Sequence, residues 1–240
     1  MANALTPLND DKTPWALVIL LGALSAFGPM SIDMYLPSLP AISADFHAAS
    51  GASQGTMAAF LIGMAVGQFF FGPASDRWGR RSMLFLGVGL FVVATVACAL
   101  APSLGMLVLA RFVEALGGCA GPVIARAVVR DRFDHRQSAR VMSQQMLIMG
   151  VAPLVAPLLG GVLLGFSGWR MIFWFIAAFG AVMGVWMFFV LGESRSEATR
   201  AQADGETPWA AYGALLRHRA LITSAAWQRN AGSLLKHVAN

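Results

Sequence analysis

Charge is what this sequence has least of. Only 12% of its 240 residues are Asp, Glu, Lys or Arg, while 57% are hydrophobic and the mean hydropathy is +0.64. A soluble domain carries about 25% charge because its surface must be wetted, so a soluble fold is excluded. Cysteine is scarce too. Cys98 and Cys119 both fall inside apolar runs, which leaves no disulfide framework and no thiolate metal spacing. His47, His135, His218 and His237 are scattered, so no metal site is expected. There is no GxxxxGK[ST] loop to hold a nucleotide, and no nucleophile is paired with a base. Neither an enzyme nor a cofactor is expected, and any work must draw on an ion gradient. The net charge of +5 invites a nucleic-acid reading. The basic residues, however, sit in short clusters between long apolar runs, which is the pattern of membrane topology rather than of nucleic-acid binding.

What is present is a set of long apolar runs. A bilayer core of about 30 Å needs about twenty residues of helix, and helix alone satisfies its backbone there. Six runs reach that length, at roughly 15–37, 53–72, 82–101, 104–126, 141–165 and 169–191. The leader carries Asp10, Asp11 and Lys12, unlike the positive start of a cleaved signal peptide, so the first run reads as a retained span. The Lys and Arg residues then orient the chain: 15 of 17 fall in the two tails, the 2–3 loop and the 4–5 loop. Arg170 lies in an opposite loop and Arg111 inside a span. The positive-inside rule predicts both termini in the cytoplasm. The predicted organisation is a cytoplasmic tail over 1–14, a six-helix bundle over 15–191 and a polar cytoplasmic segment over 192–240. The lipid bilayer is the first expected partner. A short amphipathic stretch follows Trp209, and an apolar run from Leu221 is broken by Gln228, Arg229 and Asn230.

Three charges fall at bilayer depth, where each costs roughly 2.5–3.5 kcal/mol on insertion scales. Asp33 is expected roughly 6 Å below the outer end of span 1, with Arg111 roughly 10 Å and Glu114 roughly 15 Å below the same surface in span 4. Arg111 and Glu114 are three apart and share a face. All three are expected to meet in one polar cavity, as a proton or cation-substrate site. The competing reading is a structural salt bridge between helices. In span 5, Gly150, Pro153, Pro157, Gly160 and Gly161 crowd together, which predicts a bent, tightly packed helix. Gly87 and Gly89 in span 3 read simply as small membrane residues.

Several segments resemble a known family. Gly72-Pro-Ala-Ser-Asp76-Arg77-Trp-Gly79-Arg80-Arg81, between spans 2 and 3, is similar to the cytoplasmic signature of the major facilitator superfamily. Arg111-Phe-Val-Glu114-Ala-Leu-Gly117 resembles the span 4 motif, with Glu114 replacing the more usual glutamine. Ala156-Pro157-Leu-Leu-Gly160-Gly161 resembles the span 5 antiporter motif, with Ala156 where glycine is commoner. Asp33-Met-Tyr35-Leu-Pro37-Ser-Leu-Pro40 and Ala127-Val-Val-Arg130-Asp131 narrow the likeness to Bcr/CflA-type drug-resistance transporters. The resemblance runs from about Thr13 to Leu221.

It implies an all-α fold that forms one half, a 3+3 inverted repeat, of a proton-coupled exporter of amphipathic drugs in the inner membrane. On that likeness Asp33 carries the proton or binds a cationic substrate, Arg111 biases it, and Tyr35 stacks on the drug. Asp76 and Arg80 hold a cytoplasmic gate by contacts partly supplied by the other half. The residues from Trp227 onward do not resemble a seventh span. The resemblance therefore leads one to expect a half that works with a second six-helix half or by self-association. A metabolite symporter or exporter of the same superfamily and a non-transporting truncated fragment are the competing expectations.

Overall fold

The computed structural model describes residues 15–49 and 51–191, and every regular element among them is helical. The chain divides into two units, Met1–Ser196 and Glu197–Asn240. The second unit, the tail over 1–14 and the amphipathic stretch after Trp209 lie outside the described residues. Nine α-helices run in order: α1 Trp15–Ser25, α2 Phe27–Asp33, α3 Leu39–Asp45, α4 Gln54–Trp78, α5 Arg80–Ala99, α6 Leu104–Gly118, α7 Ala120–Arg132, α8 His135–Ser167 and α9 Trp169–Val190. Five spans are long and apolar enough to cross a bilayer, with α6 and α7 counted as one. α1 together with the helical segment over 27–45 makes a sixth, bent by about 40°. The six spans expected from hydropathy are therefore all present, but the first is broken.

The break has a local cause. Pro29 has no N–H to give the Ser25 carbonyl, and Ser25 Oγ bonds back to the Leu21 carbonyl at 2.8 Å, a contact that bends helices. Pro122 acts similarly on the Gly118 carbonyl, where α6 gives way to α7 at Cys119.

On the arginine-rich side the helices outrun the apolar sequence. α4 reaches Trp78 rather than 72, α7 reaches Arg132 rather than 126, and α8 starts at His135 rather than 141. Hydropathy marks membrane depth, whereas helix ends are set by caps. α4 stops only at Gly79, whose φ of 100° favours glycine. α8 begins where Asp134 accepts a bond from the Gln137 N–H at 2.7 Å. The signature over 72–81 is consequently helical nearly throughout, not a loop between spans.

Span 4 is the most enclosed of the five spans other than the broken first one, because small residues let its backbone approach three neighbours. Gly63 and Gly67 of α4 face Phe112 and Cys119, Gly87 of α5 faces Gly117 and Ala120, and Gly121 faces the Leu24 carbonyl of α1. Two four-residue glycine spacings, 63–67 and 117–121, carry this packing. Gly87 is thus a contact glycine, whereas a Cβ at Gly89 would meet nothing within 4 Å. Gly117→Val should lower the thermal stability of the bundle by about 1–3 kcal/mol through overpacking, with Gly89→Val nearly silent. Unfolding followed by tryptophan fluorescence in detergent distinguishes the two, and equal effects would remove span 4 from the centre of the packing.

Span 5 departs from expectation. α8 is one unbroken helix despite Pro153 and Pro157, and only one face of it is packed. Gly160 abuts the Met34 carbonyl and Ala156 is buried, while Gly150 and Gly161 border open space. Leu154 and Leu158 are each 72% exposed. An apolar face this bare suits a bundle whose surroundings are hydrocarbon, not water.

The ends of the bundle pair as the charge count requires. Asp45, after span 1, accepts bonds from Arg170 at 2.7 Å and Trp169 at 3.1 Å, and Arg170 also reaches the Ala101 carbonyl at 3.3 Å. At the other end Arg80 pairs with Asp131 at 3.0 Å, and Arg81 donates to the Phe188 carbonyl at 3.3 Å. The loops assigned to one side meet one another.

Candidate functional site

Arg111 projects from α6 into the bundle with none of its surface exposed. Its Nη1 donates to Glu114 Oε2 at 2.9 Å, one turn along the same helix, and its Nη2 donates to the Ser31 carbonyl of α2 at 3.0 Å. Three aromatic rings enclose the guanidinium: Phe60 at 4.2 Å, Tyr35 at 4.5 Å and Phe173 at 5.7 Å. A desolvated cation among ring faces is stabilised by their quadrupoles, and planar guanidinium suits that stacking better than ammonium. Tyr35 is itself held by Thr56, their oxygens 2.6 Å apart, and Cys98 gives its thiol hydrogen to Glu114 Oε2 at 3.5 Å. Spans 1, 2, 3, 4 and 6 all touch this cluster.

The cluster is incompletely satisfied. Arg111 Nε, Glu114 Oε1 and Ser31 Oγ are buried without a hydrogen-bond partner among the described residues. Unpartnered buried polar atoms are rare, and each one costs about 1–3 kcal/mol.

The three membrane charges do not converge as the sequence leads one to expect. Arg111 and Glu114 pair with each other, while Asp33 stands half-buried at the end of α2, outside every ion pair among the described residues. Ser31 and Tyr35 both contact Arg111, and at about 100° per residue Asp33 between them falls on the opposite side of the helix. Tyr35 is not free to stack on a drug in this structure, since it is fully buried against Arg111 and Phe173.

Asp76 and Arg80, which the family resemblance assigns to a gate, bond each other, and Arg80 has further partners in this chain. Arg80, 3% exposed, bonds Asp76, Ser75 Oγ at 2.7 Å and Asp131 at 3.0 Å. Gly72 and Arg80 line a cavity of about 340 Å³ with Arg126 and Arg130. Arg77 is exposed at the end of α4, and Gly79 supplies the break beside it. Asp131 was visible in its motif but not as the partner of Arg80, because residues 51 apart are joined only by the fold. Thr56, Phe60 and Phe173 carry no sequence signal that separates them from core.

Six spans around a buried arginine–glutamate pair, with an ion-pair network around Arg80 at one end, define a polytopic membrane protein of the transporter class. The Major Facilitator Superfamily profile matches residues 19–235, and the chain belongs to that family, whose members are transporters rather than enzymes. It is 38% identical over 213 residues to the uncharacterized MFS-type transporter YdgK of Bacillus subtilis, covering 88% of this chain and 53% of that protein. It is 35% identical over 193 residues to the bicyclomycin resistance protein homolog of Haemophilus influenzae, covering 80% and 48% respectively. Among solved structures, the proton:xylose symporter XylE shares the fold at a TM-score of 0.68 and 16% identity, over 80% of this chain and 48% of that one. The chain spans about half the length of these proteins, and its fold is that of one half of a major facilitator transporter.

Proposed function

We propose that these residues form the N-terminal half of a proton-coupled exporter of drug-like amphipathic molecules. The observation that carries this reading is the fully buried, partly unsatisfied Arg111–Glu114 pair, which ties span 4 to the broken turn of span 1 beside Asp33. A proton arriving at Asp33 changes the charge next to the one element both spans share. The drug-resistance name of the Haemophilus relative supports a drug-like substrate. Asp33 is the proton or cation site, and Asp76 with Arg80 is the cytoplasmic lock. Pro153, Pro157 and Gly161 belong to the span 5 surface on which a second six-helix half, or a second copy, closes, while Gly160 seats that helix against span 1. Alternating access needs two bundles around a shared site, so export requires that second body.

The test is antiport itself. Everted vesicles carrying this half joined to a second half are energised to an acid interior, and a lipophilic cationic dye is added. Substrate-induced alkalinisation of the lumen is the expected result. Substrate uptake with no proton movement would sink the coupling. Both termini and the 2–3 and 4–5 loops are cytoplasmic in this reading. Reporter fusions at Arg81, Arg136 and Asn240 should therefore read inside, and those at Asp45 and Ser103 outside. A uniformly reversed pattern overturns the orientation.

A further inference from the structure

Tyr35 meets Arg111 with its ring, and its hydroxyl lies against Thr56 in the first turn of α4. A hydroxyl has one hydrogen to give. Thr56 Oγ1 gives its own to the Ser53 carbonyl at 2.5 Å, so toward the Tyr35 oxygen, 2.6 Å away, it can only accept. Tyr35 is therefore the donor of that bond. The anchor of Thr56 is itself held. Ser53 Oγ donates to the Leu39 carbonyl at 3.0 Å and accepts from Ser43 Oγ at 2.8 Å, which ties the start of α4 to the second part of span 1. The Tyr35 carbonyl accepts from Ser38 Oγ at 2.6 Å, so the backbone and the side chain of Tyr35 are both fixed.

Tyr35, Thr56 and Arg111 have no exposed surface. A phenol hydrogen without an acceptor is unfavourable in such a place, so the ring settles where its hydroxyl is satisfied. Thr56 is the acceptor that makes this place the neighbourhood of the guanidinium, 4.5 Å from the ring centre. Donation to Thr56 also polarises the phenol, and the negative ring face is what attracts a desolvated cation.

We propose that Thr56 is a positioning residue of the Arg111 centre. Through the Tyr35 hydroxyl it holds the ring that stacks on the guanidinium, and with it the Arg111 side chain on the Ser31 carbonyl. This deepens the exporter reading, on which its kinetic consequence rests, by naming a residue of span 2 that supports the contact between spans 1 and 4. Thr56 is fully buried, so it acts through Tyr35 and not on a substrate directly. Its loss slows the step that runs through the Arg111 pair and leaves substrate affinity unchanged.

The chain has two tyrosines, and the second, Tyr212, lies outside the described residues, so Tyr212→Phe leaves Tyr35 as the sole tyrosine. Ultraviolet resonance Raman of that 240-residue variant in nanodiscs reads the tyrosine Fermi doublet, whose intensity ratio separates a phenol that only donates from one that accepts or is unbonded. The donating ratio is expected. Thr56→Val should abolish it and Thr56→Ser should keep it. In the half joined to a second half, Thr56→Val should lower the maximal rate of export of a lipophilic cationic dye about three- to tenfold, the worth of one hydrogen bond, at unchanged KM. Thr56→Ser should restore the rate. Tyr35→Phe should slow export as much as Thr56→Val does, and the two together no more than either, since both remove the same bond. An accepting or unbonded ratio in the parent, an unchanged ratio in Thr56→Val, a change in KM alone, or additive losses in the double variant overturns the proposal. If Thr56→Val fails to fold, Thr56→Ala takes its place in every arm. If the joined protein does not export, the exporter reading falls, and the Raman series alone decides the role of Thr56.

Discussion

Replacing Arg111 with alanine should destabilise the bundle by about 3–5 kcal/mol, the usual cost of removing one partner of a buried ion pair. Glu114 would remain in the protein interior with its charge uncompensated, and the Ser31 carbonyl and three aromatic rings would lose the group they enclose. The expected measurement is a large fall in the thermal midpoint in detergent, together with lost export when the half is joined to a second one. A partner experiment separates stability from function. Replacing both residues, Arg111→Met with Glu114→Leu, should recover most of the lost stability, because a buried pair exchanged for apolar groups is often neutral or better. Export should not return. If the double variant exports with normal pH dependence, the pair is structural and the coupling lies elsewhere. Arg111→Lys should keep the charge but lose the flat stacking and one of the two directed bonds, and so fall between.

Asp33→Asn is expected to show the opposite signature. Asp33 belongs to no ion pair among the described residues and is only half-buried, so the isosteric amide should leave the unfolding free energy within about 0.5 kcal/mol of the parent. The carboxylate, however, is the titratable group beside the turn that Arg111 grips. Without it, substrate-driven proton movement should disappear and export should lose its dependence on external pH. A variant as stable as the parent yet uncoupled is the diagnostic result. Undiminished pH dependence would move the proton site to Glu114. The contrast between the two variants is itself a test of the geometry. Had Asp33 joined Arg111 in one network, as its depth in the sequence leads one to expect, both substitutions would destabilise alike.

Much of this protein was legible before folding. Arginine clusters separated by twenty-residue apolar runs identify the spans, because the bilayer leaves helix as the only way to satisfy a backbone. Arg111 and Glu114 announce themselves because charge at that depth is costly and their spacing of three puts them on one face. The Arg80 motif was readable through its resemblance to a family signature. Phe60 and Phe173 were not, since an aromatic residue in an apolar run looks like any other core residue until it is seen against Arg111.

The sequence by itself determined the class, the number of spans, the grouping of loops by side and the Arg111–Glu114 pair, because each of these depends on local spacing or on partition between water and hydrocarbon. Only the tertiary structure decided which charges meet. Ser31 and Tyr35 of span 1 contact Arg111, while Asp33 stays outside the pair. Glycine spacings too subtle to stand out in an apolar run bring span 4 against its neighbours. Asp131 reaches Arg80 across 51 residues because α7 outruns the membrane run that hydropathy detects. Hydropathy measures depth along one axis. Which side chains face each other around that axis depends on helix breaks, close backbone contacts and caps, which are fixed only when the helices pack.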